Sequence, residues 1–451
     1  MGVKPWQPGG EQRRRGIDWI LDRAVETAPL ADGRARADDA WNRLRDGLAE
    51  RSGFVRRHLR AAGADLASVE RVADLPRLPL CSKADLRDSQ DRHPPFGDHL
   101  GVDEAEVKLV YQTSGTTGRP CRIALTRGDA EMWWTIGARS YRATGMYPHD
   151  SVLVSLGAGP FVAGHTHGSV DRTGARRVPV APGDTARVLD AAAAGLFDTI
   201  VATPSFALHL ADRCAREGID APRLGIRHIV SGGEPGGGIP STRARIEASF
   251  DCDVTEAMGL GDIAPSLYGE CEAKEGMHFC GQGFVWPELI DSATSEPLAI
   301  ETGVVGEVVY TTLQREAMPL VRFRSGDIVE IMGTSCECGR TSFRARCLAR
   351  SDDMFIVRGV NVYPSAIVAV VGEFQPHVSG RARVVLPVGA VAVDPPVAVQ
   401  VELAAADAPA DLAARIADAI RQRLTFRASV ELVAPDEFGD AGYKTNLVAR
   451  R

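Results

Sequence analysis

The sequence predicts an α/β fold in which a large N-terminal part, built on a mostly parallel sheet with a β-rich subdomain, is followed by a small C-terminal α/β unit. Three observations predict it. Apolar runs such as VKLVY, SVLVSL, DTIVAT and IRHIVSGG alternate with helical stretches from about residue 105 onward. Several of these runs end in Gly, Ser, Thr or Pro, where a strand would stop and a loop begin. Beyond residues 351–353 the same alternation restarts on a smaller scale.

Taken in order, residues 11–75 carry apolar side chains at helical spacing, as in AWNRLRDGLAERSGFVRRHLRAAG, with charges on the other face, and predict a helical opening. VKLVYQ predicts a strand. ARVLDAAAAGL and PSFALHLADRCARE then separate further strands, so the strands run parallel under helices and ligands collect beyond their carboxyl ends. Residues 285–332 hold VWPELID, GEVVYTTL and DIVEIM with turns between, the β-rich subdomain. After the turn at 351–353, MFIVRGVNVYPSAIVAVV, ARVVLPV, VAVQVELA, DLAARIADAIRQRL and SVELVAP predict a separate sheet-and-helix unit of about 100 residues. The domain boundaries are therefore expected at 1–350 and 351–451.

With 451 residues and 44% hydrophobic content the chain can bury a sizeable core. Its formal charge of -7, with charges of both signs, provides no basic field for nucleic acid or anionic lipid. Charges stand close behind the start (EQRRRGIDW) and no apolar segment reaches about 18 residues, so neither a signal peptide nor a membrane span is expected, and the cytoplasm is the expected location. Nine thinly spread cysteines predict reduced thiols, with a metal site where they cluster. Only five of 52 basic residues are lysine, so each lysine invites a reason. A homodimer is left open.

The stretch TSGTTG behind the first strand offers backbone N–H groups that glycine allows to approach closely, and four hydroxyls. It reads as an anion cradle or as a turn, and it lacks the Gly-Lys-Ser/Thr ending of a Walker A loop. Six motifs run in order: YQTSGTTGRP (111–120), SGGEPGG (231–237), EAMGLGD (256–262), RFRSGDIV (322–329), ARSDDMFIVRGVNVYP (349–364) and GYKTN (442–446). With PLCSKADLR (79–87), this series resembles the adenylate-forming superfamily, and within it the phenylacetate-CoA ligase family, over nearly the whole chain.

The resemblance implies a multi-layer fold with a mobile C-terminal domain. It also implies a two-step reaction in which a small aromatic carboxylic acid attacks MgATP to give an acyl-adenylate, and CoA then displaces AMP. Ser114, Gly115, Thr116, Thr117, Gly118 and Arg119 would cradle the phosphates, and Lys444 would bridge the substrate carboxylate and the α-phosphate. Asp327 matches the acceptor of the ribose hydroxyls, Arg350 a partner on the nucleotide side, and Gly233, Glu234 and Pro235 the segment along adenine. Met258, Gly259 and Asp262 belong to the same nucleotide site; relatives often have an aromatic where Met258 stands and a glutamate where Asp262 stands. Asp352 fits the hinge; a helix-capping turn is the bland alternative. Phe161, Phe206, Gly232, Ala257 and Gly261 would line the acid pocket, with His165 and His167 available to ring substituents.

Cys271 and His278 in ECEAKEGMHFC, with Cys336 and Cys338 in CECGR, offer three thiolates and an imidazole, a set suited to a closed structural Zn²⁺ site, with Cys280 as a spare donor. Free core cysteines and one hydrogen-bonded histidine are the alternative. The expected function is thus an AMP-forming aryl-CoA ligase using ATP, Mg²⁺ and CoA. The alternatives are transfer to a carrier-protein thiol, an amine or another nucleophile, and a non-catalytic nucleotide-binding relative.

Overall fold

A computed structural model describes residues 19–113, 120–156, 161–180, 184–351, 354–358, 360–388, 390, 392–405, 407–435, 437–438 and 447–451. The helical opening forms as its apolar spacing dictates. Trp41 and Leu44 of helix Leu30–Arg45, Leu48, and Phe54, Val55 and Leu59 of helix Gly53–Ala62 are buried in one cluster. Ser52 accepts the Val55 N–H at the start of the second helix, and Gly63, at φ 64°, ends it. Each such buried side chain contributes roughly 1.5–3 kcal/mol.

Twelve strands form one sheet. Its parallel half runs, in spatial order, Arg176–Val178, Ser151–Val154, Thr199–Ala202, His228–Gly232 and Asp253–Leu260. The three middle strands are buried along their whole length, as a parallel sheet covered on both faces requires. Helices Thr166–Thr173, Thr185–Ala193, Pro204–Glu217 and Pro240–Phe250 make the connections. From Asp253–Leu260 the sheet continues antiparallel through Ala264–Glu270, Met277–Phe279, Arg344–Arg350, Phe323–Gly333, Val305–Thr312, Val285–Ile290 and Pro297–Leu298.

The β-rich segment at 285–332 is therefore one wing of the main sheet. Its Tyr310, Phe323 and Val329 lie in the same core cluster as Trp41 and Leu48, so the helical opening is the cover of that wing. The strand Leu109–Gln112 stands apart, paired with Arg122–Leu125 in a two-stranded ladder.

The C-terminal residues build a four-stranded sheet in the order Ala428–Val433, Val397–Leu403, Val378–Leu386, Val448–Arg450. Ile367 and Val371 of helix Pro364–Gly372, and Leu412, Ile416 and Ile420 of helix Leu412–Leu424, close over Val384, Val399 and Val401 in a core of their own. No described helix is long and apolar enough to cross a membrane.

Candidate active site and cysteine cluster

Ser114, Gly115, Thr116, Thr117, Gly118 and Arg119 lie outside the described residues, as do Asp352 and Lys444. Both edges of the 114–119 loop are described. Gln112 and Arg122 are cross-strand partners, the Thr113 N–H donates to Cys121 O at 3.0 Å, and Thr113 Oγ1 accepts the Cys121 N–H at 3.3 Å. The loop thus leaves and returns through one ladder.

At the carboxyl end of His228–Gly232, a Cβ on Gly232 would run into the Ala257 carbonyl, so glycine is what lets the two strands approach. Gly233 then turns at φ 88°. Glu234 Oε1 accepts the Ser205 N–H at 2.9 Å, and the Gly238 N–H donates to Glu256 Oε1 at 2.8 Å. The segment containing Gly233, Glu234 and Pro235 is thereby tied to helix Pro204–Glu217 on one side and to strand Asp253–Leu260 on the other. Burial, and then the neighbouring Glu270 carboxylate, push Glu256 up to about 7.

Asp327 and Arg350 are cross-strand partners, and Arg350 Nη1 donates to Asp327 Oδ1 at 2.9 Å. The structure thus joins two residues expected on the nucleotide side. Met258 is half-buried against the main core. Gly259 is enclosed by the Pro265 backbone. Asp262 is 2% exposed, and its Oδ2 accepts Lys83 Nζ at 2.9 Å. Its carbonyl accepts from Arg315 Nη1, and Arg315 lies 5.2 Å over the Trp133 ring. Asp262 Oδ1 has no partner among the described residues.

The expected acid pocket is only partly assembled. Phe161, 37% exposed, bridges to Gln112, and Val162 packs on Gly261, with a Thr113 methyl beside it, so Phe161 and Gly261 converge on the loop edge. Ala257 lies opposite Gly232. Phe206, in the first turn of helix Pro204–Glu217, is half-buried against the core under that helix and stacks on His209 at 6.3 Å. His165, expected to meet a ring substituent, is instead boxed by aromatic rings: stacked on Trp134 at 5.6 Å and edge-on to Trp133 at 5.0 Å and Tyr111 at 5.8 Å. Burial pushes it down to about 3, so it is neutral, and neither ring nitrogen finds a partner among the described residues.

Sequence reasoning missed this aromatic box and the Lys83–Asp262 contact. The scarcity of lysine was the available signal for the latter.

Cys271, His278, Cys336 and Cys338 bring their donor atoms within 4.8 Å of one another. Cys271 follows strand Ala264–Glu270, His278 lies in Met277–Phe279, and the two other thiols sit in the turn between Phe323–Gly333 and Arg344–Arg350. Gly339, at φ 86°, makes that turn, its N–H donating to Cys336 O at 3.1 Å. Cys271 and Cys336 sulfurs are 3.6 Å apart, and Cys338 Sγ is 3.3 Å from His278 Nε2. Zn–S bonds of about 2.3 Å would put two ligand sulfurs roughly 3.8 Å apart, so the donor set fits tetrahedral Zn²⁺. His278 Nδ1 lies 3.4 Å from Ser342 O, which leaves Nε2 for the metal. A hydrogen bond from the Cys271 thiol holds the Cys338 thiol well below its usual range. Cys280, the spare donor, stands outside the set, just past the end of strand Met277–Phe279, and its thiol donates to His278 O.

No protein-family model matches the chain. It is 37% identical over 360 residues to the phenylacetate-coenzyme A ligase of Thermus thermophilus, 78% of this chain and 79% of that protein. Among solved structures it superposes on 2-hydroxyisobutyryl-CoA ligase in the postadenylation state with 2-HIB-AMP, with a TM-score of 0.87 at 28% identity, over 100% of this chain and 95% of that one. Against the same ligase with 2-HIB-AMP and CoA in the thioesterification state, the TM-score is 0.69 at 28% identity, with the same shares covered. The fold is that of an adenylate-forming CoA ligase. Within that class, the chain belongs to the phenylacetate-coenzyme A ligase family.

Proposed function

We propose that the protein activates an aromatic carboxylic acid with ATP as an acyl-adenylate and passes the acyl group to the thiol of CoA. The observation that carries this reading is the Asp327–Arg350 pair in a chain 37% identical to a phenylacetate-coenzyme A ligase over 78% of its length. Asp327, an acceptor-only carboxylate steadied by Arg350, takes the ribose hydroxyls. Residues 114–119 donate to the β- and γ-phosphates, the Gly233–Pro235 segment lies along adenine, and Met258 offers its polarisable sulfur to the purine.

In the first step an oxygen of the acid attacks the α-phosphorus, the bond to the β-bridging oxygen breaks, and pyrophosphate leaves. Lys444 spans the two anions. In the second the CoA sulfur attacks the acyl carbon and AMP departs with the bonding pair. Mg²⁺, when bound, neutralises phosphate charge. Asp262 would hold it through Oδ1, directly or through water, while Lys83 occupies Oδ2. The Cys271, His278, Cys336 and Cys338 set would hold a structural Zn²⁺.

Residues 1–350 form the acid and nucleotide domain, and residues 351–451 turn about Asp352 between the steps, exchanging Lys444 for the face with Arg358, Gly359, Val360 and Asn361.

A small hydroxy acid is the second reading, favoured by the whole-chain likeness to 2-hydroxyisobutyryl-CoA ligase. A panel of benzoates, phenylacetates, cinnamates and 2-hydroxyisobutyrate, incubated with MgATP and CoA and read by product mass, tests both. An aryl-CoA thioester is expected. Turnover of 2-hydroxyisobutyrate alone selects the second reading, and pyrophosphate release without any thioester contradicts CoA as acceptor.

A further inference from the structure

We propose that Arg245 is a positioning residue for the adenylation half-reaction: it latches the C-terminal unit in the adenylating arrangement, and the Gly372–Ser241 contact beside it sets how closely that unit docks. The inference rests on the two-step reading above. The chain superposes on the postadenylation state of 2-hydroxyisobutyryl-CoA ligase at TM-score 0.87 and on its thioesterification state at 0.69, each over 100% of this chain. Both are states of one protein, so the gap lies in how the parts are arranged, and the arrangement here is the postadenylation one.

In this arrangement helix Pro364–Gly372 of the C-terminal unit packs on helix Pro240–Phe250 of the large part. Gly372 approaches Ser241 so closely that a Cβ on Gly372 would overlap the Ser241 hydroxyl. One turn further along the same helix, Arg245 donates through Nη1 to Ser379 O and through Nη2 to Asp212. Asp212, on helix Pro204–Glu217, aims the guanidinium from the large part. Ser379 is the second residue of strand Val378–Leu386, and its hydroxyl is engaged with Glu402 at 2.8 Å, so a fixed backbone presents the carbonyl.

Ser365 Oγ also crosses, to Leu348 O, but close in sequence to the 351–353 turn. Arg245 and Ser379 are 134 residues apart. A pivot at 352 would carry Ser379 away from a residue anchored to Asp212. A latch made only in this arrangement shifts a two-state equilibrium, and losing one part-buried hydrogen bond of ordinary net strength shifts such an equilibrium by about three- to tenfold.

The experiment measures the half-reactions separately on the full chain: acid-dependent ATP–pyrophosphate exchange without CoA, and thioester formation from preformed acyl-adenylate and CoA. Arg245→Ala should lower exchange about three- to tenfold and leave thioester formation unchanged or faster, with Arg245→Lys in between. Gly372→Ala should lower exchange alone, and adding Ser241→Gly should restore it. Equal loss in both half-reactions, unchanged exchange in Arg245→Ala, or no rescue by Ser241→Gly would overturn the latch. Small-angle X-ray scattering of the unliganded chain reads it without activity, with Arg245→Ala and Gly372→Ala expected to expand the particle. A wild-type chain that performs neither half-reaction contradicts the functional reading, and an unaltered scattering profile in both variants contradicts the latch itself.

Discussion

At Asp327 the carboxylate already has its cation, Arg350, 2.9 Å away across the ladder, whereas at Cys271, Cys336 and Cys338 three thiols and an imidazole crowd within 4.8 Å and mainly face one another. Both sites hang on strand Arg344–Arg350 and the turn that precedes it. The difference lies in what each needs before it is stable. The ion pair compensates its own charge and can wait for a ligand, so it suits a site that fills and empties. Thiolates at that density repel one another, and Arg340, 3.7 Å from Cys338 Sγ, together with Arg344 offsets only part of that repulsion, so the cluster suits a cation that stays.

The largest expected effect breaks the cluster side of this comparison. Cys336→Ser should take bound zinc from about one per chain to none and lower the unfolding midpoint by about 5–10 °C, because the metal's binding energy is folding energy. Elemental analysis and a thermal scan read both, and turnover measured well below the new midpoint should persist. The next breaks the ion pair: Asp327→Ala should cut kcat/KM for ATP by about 100-fold, roughly 2.7 kcal/mol, while moving the midpoint by less than about 3 °C. A large midpoint shift with intact ATP use would reverse the roles assigned to the two sites.

The smallest effect sharpens the comparison at Glu256, a half-buried carboxyl faced by Glu270, Arg243, Arg346 and the Gly238 N–H, whose pKa is pushed up to about 7. Its folded pKa lies above the unfolded value of 4.5, so the native state holds the extra proton between the two. The resulting stability is complete below 4.5 and is lost as pH rises through about 7. Glu256→Gln should therefore raise the midpoint at pH 8 by about 2 °C and flatten its dependence between pH 5 and 8. A steeper dependence in the variant would show the carboxyl to be ionised.

What could be read in the sequence follows from the range of the contacts. The Cys336 and Cys338 spacing, Asp327 in its RSGD motif and the glycines around Gly232 are local patterns with a definite chemistry, and the structure brings the two cysteines together with Cys271 and His278 and pairs Asp327 with Arg350. Lys83 and Asp262, separated by 179 residues, meet through packing that no local pattern encodes. The same holds for the merging of the β-rich segment into the main sheet, which depends on Arg344–Arg350 pairing with Met277–Phe279.

The most direct test of the two-step account is ATP–pyrophosphate exchange with a competent acid in the complete absence of CoA. Exchange that depends on the acid and proceeds without CoA is the predicted result, since the adenylate forms before the thiol takes part. Pyrophosphate chemistry that appears only when CoA is present would contradict an acyl-adenylate formed on this site.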